Sequence, residues 1–189
     1  MVMENKTDSA ADIIMLLDSS GSMRKIKDSV IAGYNSFIRE QKKIKGNAFL
    51  TTILFGGKIL PVHNRINIRY ARPLTGEEYK PGGGTLFLDA MGMAIRQADS
   101  SASPRTLIAI ITDGFENSSS QYSYAGVKDL VELRRAERRI KFFLFGLNIS
   151  ATFEAARIGI PAEVISCKPG EALDFSAPCR LIEKFRNGE

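Results

Sequence analysis

The chain has 189 residues, of which 44% are hydrophobic and 25% charged, and its formal net charge is +5. This balance is that of one ordinary globular domain and excludes a collagen-like repeat, a disordered chain and a disulfide-rich scaffold. Two cysteines without a CxxC spacing favour a reducing cytoplasm as the compartment. The sequence contains no run of about 18 apolar residues, so no membrane-spanning helix is predicted. The acidic amino terminus does not resemble a secretory leader.

Short apolar runs alternate with longer amphipathic runs, which is typical of a mostly parallel β-sheet covered by helices on both faces. The predicted strands are Ile13–Leu17, Phe49–Phe55, Lys58–Ile68, Thr106–Ile111, Phe142–Leu147 and Ala162–Ile165. The predicted helices are Arg24–Lys45, Thr85–Ala98, Val127–Arg139, Thr152–Ile158 and a last one around Leu181–Phe185. We expect a single domain with its core at about residues 11–186 and a flexible tail over residues 1–10.

Two local signals refine this prediction. The dipeptide Gly56-Gly57 suits the tight turn of a hairpin, so one strand is expected to run antiparallel to its neighbour. Pro178 is expected to delimit the last helix, because proline is not tolerated in a helix interior.

Polar residues follow the predicted strands where ligands are expected. In an open parallel sheet, ligands bind beyond the carboxyl ends of the strands, where neighbouring loops converge. The loop after the first strand reads Asp18-Ser19-Ser20-Gly21-Ser22, and the loop after the fourth strand reads Thr112-Asp113-Gly114. The loop before the second helix reads Gly82-Gly83-Gly84-Thr85. All three loops can meet at one edge of the sheet.

These loops offer two carboxylates and three hydroxyls, on Asp18, Asp113, Ser20, Ser22 and Thr85. Such oxygens bind hard cations, and a sparse, hydroxyl-rich set suits Mg²⁺, which retains some of its water. Mn²⁺ and Ca²⁺ are alternatives, although Ca²⁺ usually takes more carboxylates. Considered singly, Ser22 and Thr85 could each be only a helix N-cap, and Asp113 could only stabilise a turn. The convergence of the loops favours a metal site.

On these residues the chain resembles a von Willebrand factor type A (vWA) domain, the fold shared with integrin inserted domains. The metal-ion-dependent adhesion site (MIDAS) of that family reads Asp-x-Ser-x-Ser followed by a distant Thr and a distant Asp. Here Asp18, Ser20, Ser22, Thr85 and Asp113 fill the five positions. The apolar strand before the first of them also resembles the family's usual setting.

The resemblance implies a Rossmann-like, doubly wound α/β fold with a mostly parallel six-stranded sheet, one antiparallel edge strand and helices on both faces. It also implies that Ser20, Ser22 and commonly Thr85 contact the metal, while Asp18 and Asp113 bind it directly or through water. Members of the family complete the coordination of the metal with a partner's Asp or Glu. We therefore expect a non-enzymatic, metal-dependent protein-interaction module, whose mild positive charge suits an acidic partner.

A Mg²⁺-dependent phosphohydrolase is the alternative from another class, because some enzymes place a metal beside an aspartyl nucleophile at a strand end. Those enzymes have a second Asp two residues later, where this chain has Ser20. His63 is the only histidine, lies on the predicted hairpin away from the site, and is interpreted as a surface residue rather than a general base. The stretch Gly82–Thr85 lacks the lysine of a phosphate-binding loop.

Nucleic-acid binding through basic helices is a third interpretation. Residues 24–45 carry seven basic and two acidic side chains, and residues 128–141 carry six and three. Such stretches are more often solvated helix faces. The aromatic residues Phe142, Phe143 and Phe145 are more typical of a buried strand than of a platform for stacking bases. Nucleic acid is therefore not the expected partner.

Overall fold

The computed structural model describes residues 10–101, 103–167 and 170–189, so the tail predicted over residues 1–10 lies outside the described part except for its last residue. The described strands are β1 (Ala11–Asp18), β2 (Ala48–Phe55), β3 (Ile59–Asn67), β4 (Arg105–Thr112), β5 (Ile140–Gly146) and β6 (Ala162–Val164). The described α-helices are α1 (Lys27–Lys43), α2 (Phe87–Ser100), α3 (Tyr124–Ala136), α4 (Ile149–Arg157) and α5 (Ser176–Arg186). Short 3-10 helices lie at Gly21–Ile26 and Ile68–Tyr70.

The six strands form one sheet in the order β3-β2-β1-β4-β5-β6. The β2–β3 pair is antiparallel and the other pairs are parallel. The predicted α/β class, with a mostly parallel six-stranded sheet and one antiparallel edge strand, is confirmed. From β1 the chain adds β2 and β3 on one side and later β4, β5 and β6 on the other. The sheet therefore has a topological switch point between β1 and β4, the place where ligands bind in folds of this kind.

Apolar side chains cover both faces of the sheet. Helices α1 and α5 pack on one face of the sheet, and helices α2, α3 and α4 pack on the other. Successive side chains of β1 belong to the apolar cores on opposite faces, with Ile13 in the core beneath α1 and Ile14 in the core beneath α2. A strand buried on both faces needs an unbroken apolar sequence, which explains why β1 could be predicted from composition alone.

All five helices differ from their predicted limits by some residues, and for two of them the physical reason is evident. The predicted helix Arg24–Lys45 starts as a 3-10 helix and becomes α-helical only at Lys27. The last helix begins at Ser176, so Pro178 lies within its first turn instead of delimiting it. Proline is tolerated there because the first N–H groups of a helix have no partner within the helix.

The prediction that His63 is a surface residue is wrong. Its side chain is 3% exposed, and its Nδ1 lies 3.1 Å from Thr52 Oγ1 and 3.2 Å from the Tyr34 hydroxyl. Burial, and then the charge of Arg72, lowers the pKa of His63. The β2–β3 register shifts on both sides of the Thr52–His63 pair, so simple alternation along the hairpin does not tell which side chains face inward.

The structure also describes the aromatic run, the cysteines and the lengths of the helices. Phe142 and Phe145 are 4% and 1% exposed, which confirms that this run is a buried strand. Cys167 and Cys179 are free thiols. In the part of the chain that the structure describes, no helix combines the length and the apolar character needed to cross a bilayer.

Candidate metal centre

The five predicted site residues lie at the edge where the parallel strands end. Asp18 is the last residue of β1, and Ser20 and Ser22 follow in the turn and the first 3-10 helix. Asp113 directly follows β4, and Thr85 lies two residues before α2. Since β1 and β4 are neighbours with parallel direction, their carboxyl ends place these loops side by side.

Three of the five side chains surround one small volume in front of Gly114. A methyl group built on Gly114 would lie 3.5 Å from Thr85 Oγ1, 3.8 Å from Asp18 Oδ2 and 3.9 Å from Ser22 Oγ. Two of these oxygens come from the loop after β1 and the third from the loop before α2, and they surround Gly114 in the loop after β4, so three loops meet at a common point. The absence of a side chain on Gly114 leaves that point open.

Ser22 connects the remaining two predicted residues to this cluster. Its hydroxyl donates a hydrogen bond to Asp113 Oδ1 at 2.7 Å and lies 3.1 Å from Ser20 Oγ. The N-cap positions of the following helices are Ser20 and Leu86, so the alternative interpretation of Ser22 and of the threonine as N-caps is wrong. All five predicted residues therefore belong to one cluster of oxygen atoms.

Asp18 is a buried carboxylate held by neutral donors. Its Oδ1 accepts a hydrogen bond from Ser20 N at 2.7 Å, and its Oδ2 accepts one from Thr112 Oγ1 at 2.5 Å. Burial raises the pKa of Asp18 from its ordinary 3.8 to about 6; these hydrogen bonds lower it, and the charge of Asp113 adds to the increase. Within the described ranges, neither aspartate forms an ion pair. A divalent cation would balance this pair of neighbouring carboxylates.

The glycine-rich loop before α2 packs directly on the loop after β1. Gly82 N donates a hydrogen bond to Ser19 O at 2.9 Å, and Gly83 O accepts one from Gly21 N at 3.0 Å. Gly83 has a φ of +74°, and a Cβ there would lie 2.6 Å from Gly57 Cα. The positive φ and the close approach of the backbone in the turn between β2 and β3 therefore account for the glycine at position 83.

Residues that hold the site residues in place were missed by sequence reasoning, among them Thr112, Tyr79 and Asn117. Besides Thr112, the buried Tyr79 donates its hydroxyl to Asp18 O at 2.6 Å. Asn117 Oδ1 accepts a hydrogen bond from Thr85 N at 2.8 Å. Thr112 could have been found from its position beside Asp113 at the end of an apolar strand. Nothing in the sequence marks the other two, because they bind backbone atoms of distant residues.

The composition of the cluster determines which ions it suits. Among the described residues, no group of three or more His, Cys, Asp and Glu side chains is placed to hold a metal ion. The cluster instead combines two carboxylates with three hydroxyls. Its donors are all oxygen, which fits a hard cation that keeps part of its hydration shell and does not fit a soft one.

No protein-family model matches the chain, and no curated protein matches its sequence significantly. Solved structures do match its fold. A von Willebrand factor type A protein from Catenulispora acidiphila superposes with a TM-score of 0.64 at 17% identity, over 95% of this chain and 42% of that one. The manganese-loaded TRAP protein of Plasmodium vivax gives 0.61 at 18% identity, over 95% and 74%. The PilB minor pilin from Streptococcus sanguinis gives 0.61 at 14% identity, over 95% and 61%.

At such low sequence identities the likeness establishes the fold alone. The chain spans 61% of the pilin and 42% of the Catenulispora protein, so it corresponds to a part of each. A second vWA protein, VWA2 from Sulfolobus acidocaldarius, matches over 82% of this chain with a TM-score of 0.57. The strand order, the single antiparallel pair and these superpositions agree, and the chain has the fold of a von Willebrand factor type A domain.

Proposed function

We propose that the chain is a non-enzymatic protein-interaction module that binds a divalent cation through Asp18, Ser20, Ser22, Thr85 and Asp113. An open coordination position of this cation would accept a carboxylate from a protein partner. The observation that carries the proposal is the convergence of Asp18, Ser22 and Thr85 around the open point at Gly114. The Ser22 hydroxyl joins Ser20 and Asp113 to this cluster. The vWA fold supports it, because the MIDAS resemblance concerns the same five residues.

The exposure of the cluster is graded in a way that suits a partner's approach. Asp18, Ser20 and Thr85 are buried, Asp113 is half-buried and Ser22 is exposed. The hydroxyls would bind the cation, and the carboxylates would bind it directly or through water. Where the carboxylates bind through water, the cation stays strongly electrophilic and favours an added anion. An acidic side chain of a partner is such an anion.

Mg²⁺ is the proposed ion, because it accepts few protein ligands and retains water. Mn²⁺ is the first alternative, supported by the manganese-loaded state of the Plasmodium vivax TRAP protein, which has a similar fold. Ca²⁺ ordinarily takes more oxygen ligands than this cluster provides, and it is the second alternative.

Calorimetric titration of the chain with Mg²⁺ and with Mn²⁺ tests the site. We expect Asp18→Ala to weaken binding of either ion by at least about tenfold, because it removes the carboxylate at the centre of the cluster. Asp129→Ala is the matched control, since this aspartate is exposed on α3 away from the site. Equal affinities of the wild type and the Asp18 variant would refute the proposed site, provided that circular dichroism shows both folded.

The phosphohydrolase alternative can be separated by a direct assay. Two residues after Asp18 stands Ser20, so the second carboxylate of such enzymes is missing. His63 is buried on β3 and bonded to Thr52, which leaves it unsuited to act as a base at the sheet edge. We expect no Mg²⁺-dependent hydrolysis of p-nitrophenyl phosphate above the Asp18→Ala control. Turnover that this substitution abolishes would favour an enzyme.

A further inference from the structure

Helix α4 carries its large apolar side chains on its outer side. Ala151 and Ala155 are buried against the sheet, whereas Ile149 and Phe153 are 64% and 60% exposed. Residues four positions apart lie on the same side of a helix, so the two exposed side chains are neighbours. A helix packed on a sheet usually places its large apolar residues inward. The core therefore does not account for these two residues.

A third large apolar side chain is exposed on the loop after β4. Phe115 directly follows Gly114 and is 52% exposed. The residues on either side of it are anchored, because Gly114 N donates to Thr112 Oγ1 at 3.2 Å and the side-chain carboxylate of Glu116 accepts from Leu88 N at 2.9 Å. A fixed loop thus presents the phenyl ring to solvent.

The start of α4 and the loop that carries Phe115 adjoin the candidate metal centre. Asn148 immediately precedes α4, and its Oδ1 accepts the N-terminal hydrogen bond of that helix from Ala151 N at 3.0 Å. Its Nδ2 donates to the backbone oxygen of Asp113 at 2.5 Å. One side chain therefore ties the start of α4 to a residue of the cluster. Ile149, the next residue, and Phe115 both lie at the same edge of the sheet as the cluster.

We propose that Phe115, Ile149 and Phe153 form an apolar shelf that binds a large aliphatic or aromatic side chain of the protein partner, beside the partner's metal-bound carboxylate. This inference rests on the proposed function, because the metal centre provides the neighbouring acidic contact. Exposed apolar groups clustered beside a polar site are typical of interaction surfaces. The shelf selects partners whose Asp or Glu has Phe, Leu, Ile or Trp close by, and so excludes partners that are merely acidic.

Display of random dodecapeptides on phage tests the shelf. The full chain is the target in Mg²⁺, and bound phage are released with EDTA. We expect the wild type to enrich peptides that combine an acidic residue with a large apolar one. Recovery of these peptides should fall by at least about tenfold on the Ile149→Ser/Phe153→Ser variant. Leu133→Ser is the matched control, because it removes a leucine that is 51% exposed near the end of α3 far from the cluster.

The outcomes separate the shelf from the metal centre. Acidic peptides without apolar preference, or equal recovery on the double variant, would overturn the shelf and leave metal-dependent carboxylate binding in place. No EDTA-released peptide on the wild type would overturn both. A wild-type dimer that the double variant makes monomeric in size-exclusion chromatography would assign the surface to a second copy of the chain, against the proposal. Unchanged thermal unfolding and Mg²⁺ binding of the variants confirm that fold and metal centre are intact.

Discussion

The ionised side chain of Asp18 opposes folding of the metal-free protein. Its pKa is about 6 in the folded protein and 3.8 in an exposed setting, because burial disfavours the charge. The folded state therefore holds the proton more tightly than the unfolded chain. The resulting stabilisation is complete below pH 3.8 and is lost as the pH rises through about 6. At neutral pH the buried Asp18 carboxylate is therefore ionised, and its surroundings favour a bound positive charge.

We expect Asp18→Asn to raise the free energy of unfolding of the metal-free protein at pH 7 by about 1 to 3 kcal/mol, since it removes the buried charge and keeps a polar group of the same shape. The same substitution should abolish any stabilisation by Mg²⁺. Urea unfolding in EDTA and in Mg²⁺ measures both effects. The exposed Asp129→Asn serves as control. A metal-free Asp18→Asn variant less stable than the wild type would show that the hydrogen bonds to this carboxylate outweigh its desolvation.

His63 gives the opposite pH dependence. Burial lowers its pKa below the ordinary 6.5, so the unfolded chain takes up a proton that the folded chain excludes. The contribution of His63 to the free energy of unfolding is complete above pH 6.5 and is lost as the pH falls through the lowered pKa of the folded state. Arg72 disfavours the charged ring further, whereas Glu78 favours it.

His63→Gln removes this titration and keeps a hydrogen-bonding side chain. We expect the difference in free energy of unfolding between wild type and variant to shift in favour of the variant as the pH falls from about 7.5 to about 5. Both proteins contain Asp18, so its contribution cancels in the difference. Urea unfolding at several pH values measures the shift. A difference that stays constant would show that His63 titrates alike in the folded and unfolded states.

At the scale of whole elements, the helices and strands that the sequence predicts best are those whose composition fits only one kind of element. Strands β1 and β4 are buried on both faces, and their apolar runs show it. The clustering of the five candidate residues could be predicted, because four of them follow these two strands and Thr85 follows a glycine-rich loop. The inward and outward sides of α4 could not, since both Ala151 and Phe153 count as apolar in any periodicity. Only tertiary packing decides that the alanine faces the sheet.

Helix α1 approaches the segment before α5 so closely that Gly33 has no room for a side chain. A Cβ there would lie 2.4 Å from Leu173 O and 2.9 Å from the Phe175 ring. Alanine ordinarily favours a helix by about 1 kcal/mol over glycine. A clash with backbone costs more, so we expect Gly33→Ala to lower the free energy of unfolding by about 1 to 3 kcal/mol.

Gly126→Ala on α3 provides the matched comparison, because its Cβ would meet only Ser123 Oγ, at 3.4 Å. We expect this variant to be as stable as the wild type or more stable. Thermal unfolding of the two alanine variants side by side measures the contrast. Similar melting temperatures would mean that the segment near residue 173 moves aside readily, and the close packing on α1 would then contribute little to stability.

At the scale of the whole molecule, the sheet separates the two basic stretches that the sequence contains. Helix α1 packs on one face of the sheet and helix α3 packs on the other. Part of the charge is also paired locally, as between Arg134 and Asp99 at 2.7 Å and between Lys43 and Glu40 at 2.7 Å. The two basic stretches therefore lie on opposite faces of the sheet. Nucleic-acid binding normally requires positive charge concentrated on one face.

We therefore expect little binding of a DNA duplex of about 20 base pairs at about 150 mM salt, measured by fluorescence anisotropy. Weak binding at low salt should fall steeply as salt is added, and it should respond neither to EDTA nor to Asp18→Ala, because phosphate contacts do not use the metal centre. Protein binding should show the reverse dependence, with loss in EDTA. Tight DNA binding at physiological salt would show that α1 or α3 alone suffices to hold a duplex, and nucleic acid would then replace an acidic protein as the main partner.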